Sequence, residues 1–201
     1  MLNTYKRFCQ LIDDTRNVDN LYSYIHNNIV VPIDASDLLR WQWVQCVSAL
    51  DKLVHDLVRI GMVQIYNGTR TSTAQYNSFA LNMSTYQEMM NDPMNASLIF
   101  EQRIILCNGF KAFQEPTKIA EALAYIWEEK DKWLAIANYV GIDKSTCTTT
   151  LKNIVLRRNQ IVHEGDYTDA LLKRQDIFEQ DVQDVRDFVL KLGEGIYNCV
   201  K

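Results

Sequence analysis

Leu151-Lys152-Asn153-Ile154-Val155-Leu156-Arg157-Arg158-Asn159-Gln160-Ile161-Val162-His163-Glu164-Gly165-Asp166 carries the reading of this chain. Asp143 or Ser145 offers a side-chain cap for a helix that runs to about His163. Gly165 stands where a left-handed C-terminal cap is expected. The helix therefore ends in a cation, a carboxamide and an imidazole within six residues, Arg158 to His163.

Working outward, the pattern stays helical. Phe178, Val182, Val185, Val189, Leu192 and Ile196 step by four, three, four, three and four, which describes one apolar seam packed on other helices. Asp176 with Glu179 forms a capping box at its start. Upstream, Leu39, Trp43, Cys46, Val47, Leu50, Val54, Leu57, Val58 and Met62 recur at the same spacings behind Asp34 or Ser36, and Asn67-Gly68 stops that helix. The N-terminus reads as one or two helices from about Thr4 to Asn28, broken near Asn17 to Asn20 and ended by Pro32.

The middle is less regular. Thr69 to Met83 is polar and reads as a loop. Ser84 with Gln87 caps a short helix, Asn95 starts another towards Phe113, and Glu115-Pro116-Thr117 opens one that runs to about Val140 and Gly141. The expected fold is all-α: an up-and-down bundle of four to five long helices in one domain, 1–201, with a partly helical insertion at about 69–140.

Composition agrees. Hydrophobic residues are 47% and charged residues 23% of 201, enough for a core without staples, and only 3 prolines and 7 glycines interrupt it. The net charge of -4 and a pI near 5.4 argue against a general nucleic-acid coat but allow one local basic cleft. The five cysteines are odd in number and show no C-x-x-C spacing, so they read as reduced thiols of a cytoplasmic protein. No secretory signal and no apolar run of membrane-spanning length occurs, so no membrane partner is expected. The glycosylation patterns at Asn67, Asn82 and Asn95 read as chance.

Asp51 and His55 lie four apart on one helix face. They fit either an orienting carboxylate and a base or an ordinary helix-surface pair. His26 sits in a polar helix end. Three histidines scattered in this way make no metal site, and no cofactor is implied.

Arg158, Asn159 and His163 together meet the needs of RNA cleavage. A base must take the ribose 2′-hydroxyl proton, and histidine titrates near working pH. Arginine's planar guanidinium matches two phosphate oxygens. Asn159, four residues before His163, shares its face and can orient the ring or hold a phosphate oxygen. Arg158 and His163 are five apart, about 140° around an ideal helix. They converge only if the helix ends at His163 or if a second copy contributes across a two-fold axis. Lys152 and Arg157 are further RNA contacts on this reading. A plainer role also fits the arginines, since cations near a helix C-terminus complement its dipole.

The same segment resembles the signature helix of the HEPN superfamily: arginine, usually a polar residue next, and a histidine four to six residues on. Arg158, Asn159 and His163 match it residue by residue. Leu38 to His55 resembles the second helix of a prokaryotic subgroup found near restriction and abortive-infection systems. The resemblance implies a helical bundle that dimerises through the motif helix, and an endoribonuclease that cleaves RNA without a metal and leaves a 2′,3′-cyclic phosphate. It implies a toxin or anti-phage effector, with an antitoxin or neighbouring defence protein as partner. The alternative is a non-catalytic module that binds nucleotide or RNA, or acts as a dimerisation or regulatory subunit. In toxins paired with a nucleotidyltransferase a tyrosine often stands two residues after the histidine; here that residue is Gly165, with Tyr167 close by.

Overall fold

The structure is a computed structural model that describes residues 1–29, 34–168 and 173–201. The expected helix stop at Pro32 lies outside the described residues. The long apolar pattern of the second helix becomes α3 (Ser36–Tyr66), the axis of the molecule. Its face from Leu39 to Met62 is buried, apart from the half-buried Trp43. α1 (Leu2–Thr15) lies along it, followed by a 3-10 turn (Arg16–Val18) and α2 (Asp19–Asn28), so the break expected near Asn17 is present. α9 (Lys144–Glu164) and α10 (Glu179–Val200) also pack on α3, while α8 (Lys132–Val140) packs on α9 and α10. The chain is an all-α bundle.

Caps explain the boundaries. Asp143 accepts the Thr146 amide at 2.9 Å and starts α9. Gly165 ends it at φ 62°, with both the Gly165 and Asp166 amides donating to the Gln160 carbonyl. The expected Asp176 and Glu179 box is replaced: Asp181 accepts the Phe178 amide at 2.9 Å, so the helix starts two residues later than the box predicts. The seam from Val182 to Ile196 is buried, but Phe178 is exposed because it precedes the first turn.

The middle departs more from expectation. The stretch read as a loop contains the single turn α4 (Ala74–Asn77), capped by Thr73. α5 (Met83–Asn91) is capped by Asn82 rather than Ser84, with the Thr85 amide 3.0 Å from its side-chain oxygen. α6 (Ala96–Asn108) begins at Asn95 and stops at Gly109, short of Phe113. The helix expected to run from Pro116 to Val140 is two helices, α7 (Pro116–Leu123) and α8. Thr73 Oγ1 donates to the Ala124 carbonyl at 2.8 Å and lies 3.2 Å from that of Tyr125. Asp131 then caps α8 by accepting the Leu134 amide.

Ile126, in that break, seats against Gly61 of α3. A β-carbon at Gly61 would stand 2.5 Å from Ile126 Cγ2 and 2.9 Å from its Cβ. Gly61→Ala is therefore expected to cost about 1–3 kcal/mol, because overpacking outweighs the helix-propensity gain of roughly 1 kcal/mol. A urea midpoint at or above that of wild type would show that α3 and the 124–131 segment do not approach this closely.

All five cysteines are free. Burial pushes the Cys46 and Cys147 thiols up to about 11, so both are neutral core groups. No helix among the described residues is long and apolar enough to cross a membrane.

Candidate active site

α9 is held against α3 along its inner side. Leu151, Ile154 and Val155 are buried, and the Trp43 indole donates to the Ile154 carbonyl at 3.0 Å. This fixes which way the outer residues face. Lys152, Leu156 and His163 are exposed and Asn159 is half-buried; spacings of four, three and four put all four on one stripe. His163 has no hydrogen-bond partner among the described residues.

Arg158 faces elsewhere. α9 continues as regular helix through Glu164, so the 140° or so between Arg158 and His163 remains within one protomer. Arg158 lines a cleft of about 820 Å³ between α9 and the segment 111–125. Asn159 also lines it, and Arg158 Nη1 donates to Asn159 Oδ1 at 3.0 Å. Asn159 therefore stands at the edge between cleft and stripe, bonded to Arg158 and one helical turn before His163. His163 is not among the residues lining the cleft.

Arg157 has different partners. Its Nη2 donates to Asp166 Oδ2 at 2.9 Å and lies 3.2 Å from the Asp176 carbonyl, and its Nη1 donates to Gln175 Oε1 at 3.1 Å. Its Nε lies 2.8 Å from Asp166 Oδ1 without hydrogen-bond alignment, so that contact is an ion pair only. The Trp43 ring lies beneath it, 5.9 Å from guanidinium carbon to centroid. Asp166 is fully buried and is also held by Arg40 Nε of α3 at 2.7 Å. Two guanidiniums thus share one carboxylate. The excess positive charge is met by the exposed Asp37 carboxylate, 3.7 Å from Arg40 Nη1, by the Gln175 carbonyl, 2.7 Å from Arg40 Nη2, and by the hydroxyl of Ser36.

Asp166 is held at φ 65°, a conformation that aspartate tolerates better than most residues. It opens β1 (Tyr167–Thr168) and β2 (Lys173–Arg174), two antiparallel strands with Tyr167 opposite Arg174. Sequence reasoning gave Asp166 and Arg40 no role. The one local signal was Asp166 directly after a cap glycine, and its partner Arg40 lies 126 residues away.

Asp51 and His55 serve the other wall of the cleft. Asp51 Oδ1 accepts the Phe113 amide at 2.5 Å, and His55 Nε2 lies 3.1 Å from the Lys111 carbonyl, with its ring 4.3 Å from that of Phe113. They clasp the strap that carries Lys111, Phe113 and Gln114 into the cleft. Of the two roles open to them, the contacts are structural, although they are made to a distant strap rather than on a free helix surface. His26 is exposed and stacks on Tyr22. Among the described residues no three His, Cys, Asp or Glu side chains come together as a metal ion requires.

The RiboL-PSP-HEPN family matches residues 10–201. The chain belongs to this family. It is a HEPN-superfamily domain, a ribonuclease-type or RNA-related module, and the match takes in α9, α3 and the Asp166 triad together. No curated protein and no solved structure matches it. Within this HEPN domain, Arg157 is the residue that fastens α9 to the bundle through the buried Asp166.

Proposed function

We propose that this HEPN domain is a metal-independent endoribonuclease. The observation that carries the reading is Asn159. It accepts from Arg158 at the edge of the cleft and shares the outward stripe with the exposed His163, which has no hydrogen-bond partner among the described residues. Arg158 would clamp the scissile phosphate, His163 would move the 2′-hydroxyl proton, and Asn159 would orient either partner. In-line attack by the 2′-oxygen on phosphorus expels the 5′-oxygen and leaves a 2′,3′-cyclic phosphate. Stabilisation of the charge gathering on the phosphoryl oxygens supplies the main contribution.

The two groups diverge within one protomer, so the working unit on this proposal is a homodimer joined along α9. The stripe suits it: Lys152, Asn159 and His163 surround Leu156, which is 58% exposed. Lys152 would contact RNA. Arg157, engaged by Asp166, would hold the motif helix in place. The 69–140 insertion would contribute the cleft's second wall and contact the substrate. The cellular role proposed is that of a toxin or anti-phage effector in the cytoplasm, restrained or triggered by an antitoxin or neighbouring defence protein.

The acidic balance, -4 overall, favours a second reading, a non-catalytic module that binds RNA or nucleotide or regulates a partner. Incubation of the purified protein with bulk tRNA and mRNA in EDTA separates the two. Fragments ending in cyclic phosphate are expected from the wild type, at a concentration where sedimentation shows a dimer. Intact RNA under every condition that the binding reading survives would overturn the ribonuclease.

A further inference from the structure

Gln114 is 8% exposed, yet it lines the same cleft as Arg158 and Asn159, and its amide has no hydrogen-bond partner among the described residues. Although the residue is largely buried, its amide nitrogen and oxygen are not among the fully enclosed polar atoms, so they meet the open space of the cleft, where a ligand can pair with them. The strap that bears it is not slack, since Asp51 and His55 hold the backbone on its N-terminal side. Around it the lining is largely apolar and partly aromatic, with Phe113, Val155 and Tyr125. A volume of about 820 Å³ lies within the range of small-molecule sites. Charge lines its edge: Arg158, whose Nε is buried without a partner among the described residues, with Lys111 and Lys118 and the carboxylates Glu115 and Glu121.

Resting on the ribonuclease reading, we infer that this cleft is the base pocket of the RNA substrate, and that Gln114 reads an adenine next to the scissile phosphate. An aromatic and aliphatic wall accepts a base by stacking, and a purine covers more of it than a pyrimidine. The amide offers an acceptor and a donor side by side. Adenine presents an amine beside a ring-nitrogen acceptor on both of its edges, and glutamine pairs with that combination in a bidentate manner. Guanine shows two acceptors on its N7 edge and so fits the amide in fewer poses. With the base seated against Gln114, its phosphate lies towards Arg158 and the stripe that bears His163.

The test is binding of the four nucleoside 3′-monophosphates to the full chain by calorimetry, with wild type, Gln114→Leu and Gln114→Glu. Wild type is expected to hold the adenosine nucleotide about 5- to 100-fold more tightly than the others. Gln114→Leu, which keeps the size and the apolar wall, is expected to bind all four alike. Gln114→Glu, which can only accept, is expected to turn the preference towards guanosine, whose N1 and N2 both donate. No binding, no adenine preference, or a preference that survives in Gln114→Leu overturns the inference. The two proposals fail separately. Adenine selectivity without RNA cleavage removes the ribonuclease and leaves the pocket, whereas cleavage without it removes the pocket and leaves the ribonuclease.

Discussion

His163→Ala is expected to lower RNA cleavage by about 10²–10⁴-fold, the usual contribution of a positioned acid–base group. It is expected to leave folding almost untouched. His163 is exposed, has no hydrogen-bond partner among the described residues, and sits in the last turn of a helix whose end is closed by Gly165. Activity and stability therefore separate at this residue. Cleavage rates in EDTA and thermal melts on the same preparations check both halves. A variant that cleaves within a few-fold of wild type would take the acid–base role from His163. A variant that loses activity together with its melting transition would make the imidazole a structural group.

Asp166→Ala is expected to have the opposite signature. The carboxylate is fully buried and is shared by Arg40 and Arg157, whose side chains are 5% and 20% exposed. Removing it leaves Arg157 without a carboxylate and Arg40 with only the exposed Asp37 at 3.7 Å, and breaking a buried pair in this way costs about 3–5 kcal/mol. Alanine at φ 65° adds backbone strain of roughly 1 kcal/mol or more. For a chain of this size the melting temperature should fall by roughly 8–24 °C. Asp166→Asn, which tolerates the same backbone angle and keeps one acceptor pair, should be the milder change. A melting temperature within a degree or two of wild type for Asp166→Ala would mean that the triad does not hold α9 to α3. Cleavage should fall as well, since the triad fastens the end of the helix that carries His163 and Arg158.

Much of the fold was legible because its signals are local. The apolar spacing of α3 and α10 states their buried faces, and Asp143 and Gly165 bracket α9 by capping chemistry that operates within four or five residues. The misreadings fall where a distant group decides. Pro116 to Val140 has the propensity of one helix, but Thr73 and Gly61, each more than fifty residues before the break, draw carbonyls and Ile126 out of line there. Asp51 and His55 do stand 3.8 Å apart as their spacing predicts, but the spacing did not reveal their further partners, backbone atoms of Phe113 and Lys111. Gln114 carried no signal at all, because an amide in a strap takes on meaning only through the cavity that it faces.

From the chain alone come the helical class, the amphipathic faces and the motif Arg158, Asn159, His163, since each depends on residues one or two turns apart. Tertiary structure decided how those motif residues divide. Packing of Leu151, Ile154 and Val155 on α3 turns Arg158 into the cleft and leaves His163 outside it, and the buried Asp166 takes Arg157 out of the exposed set. Helical spacing sets the angle between two side chains, but which of them meets solvent, a cavity or a counter-charge depends on what the rest of the chain places beside the helix.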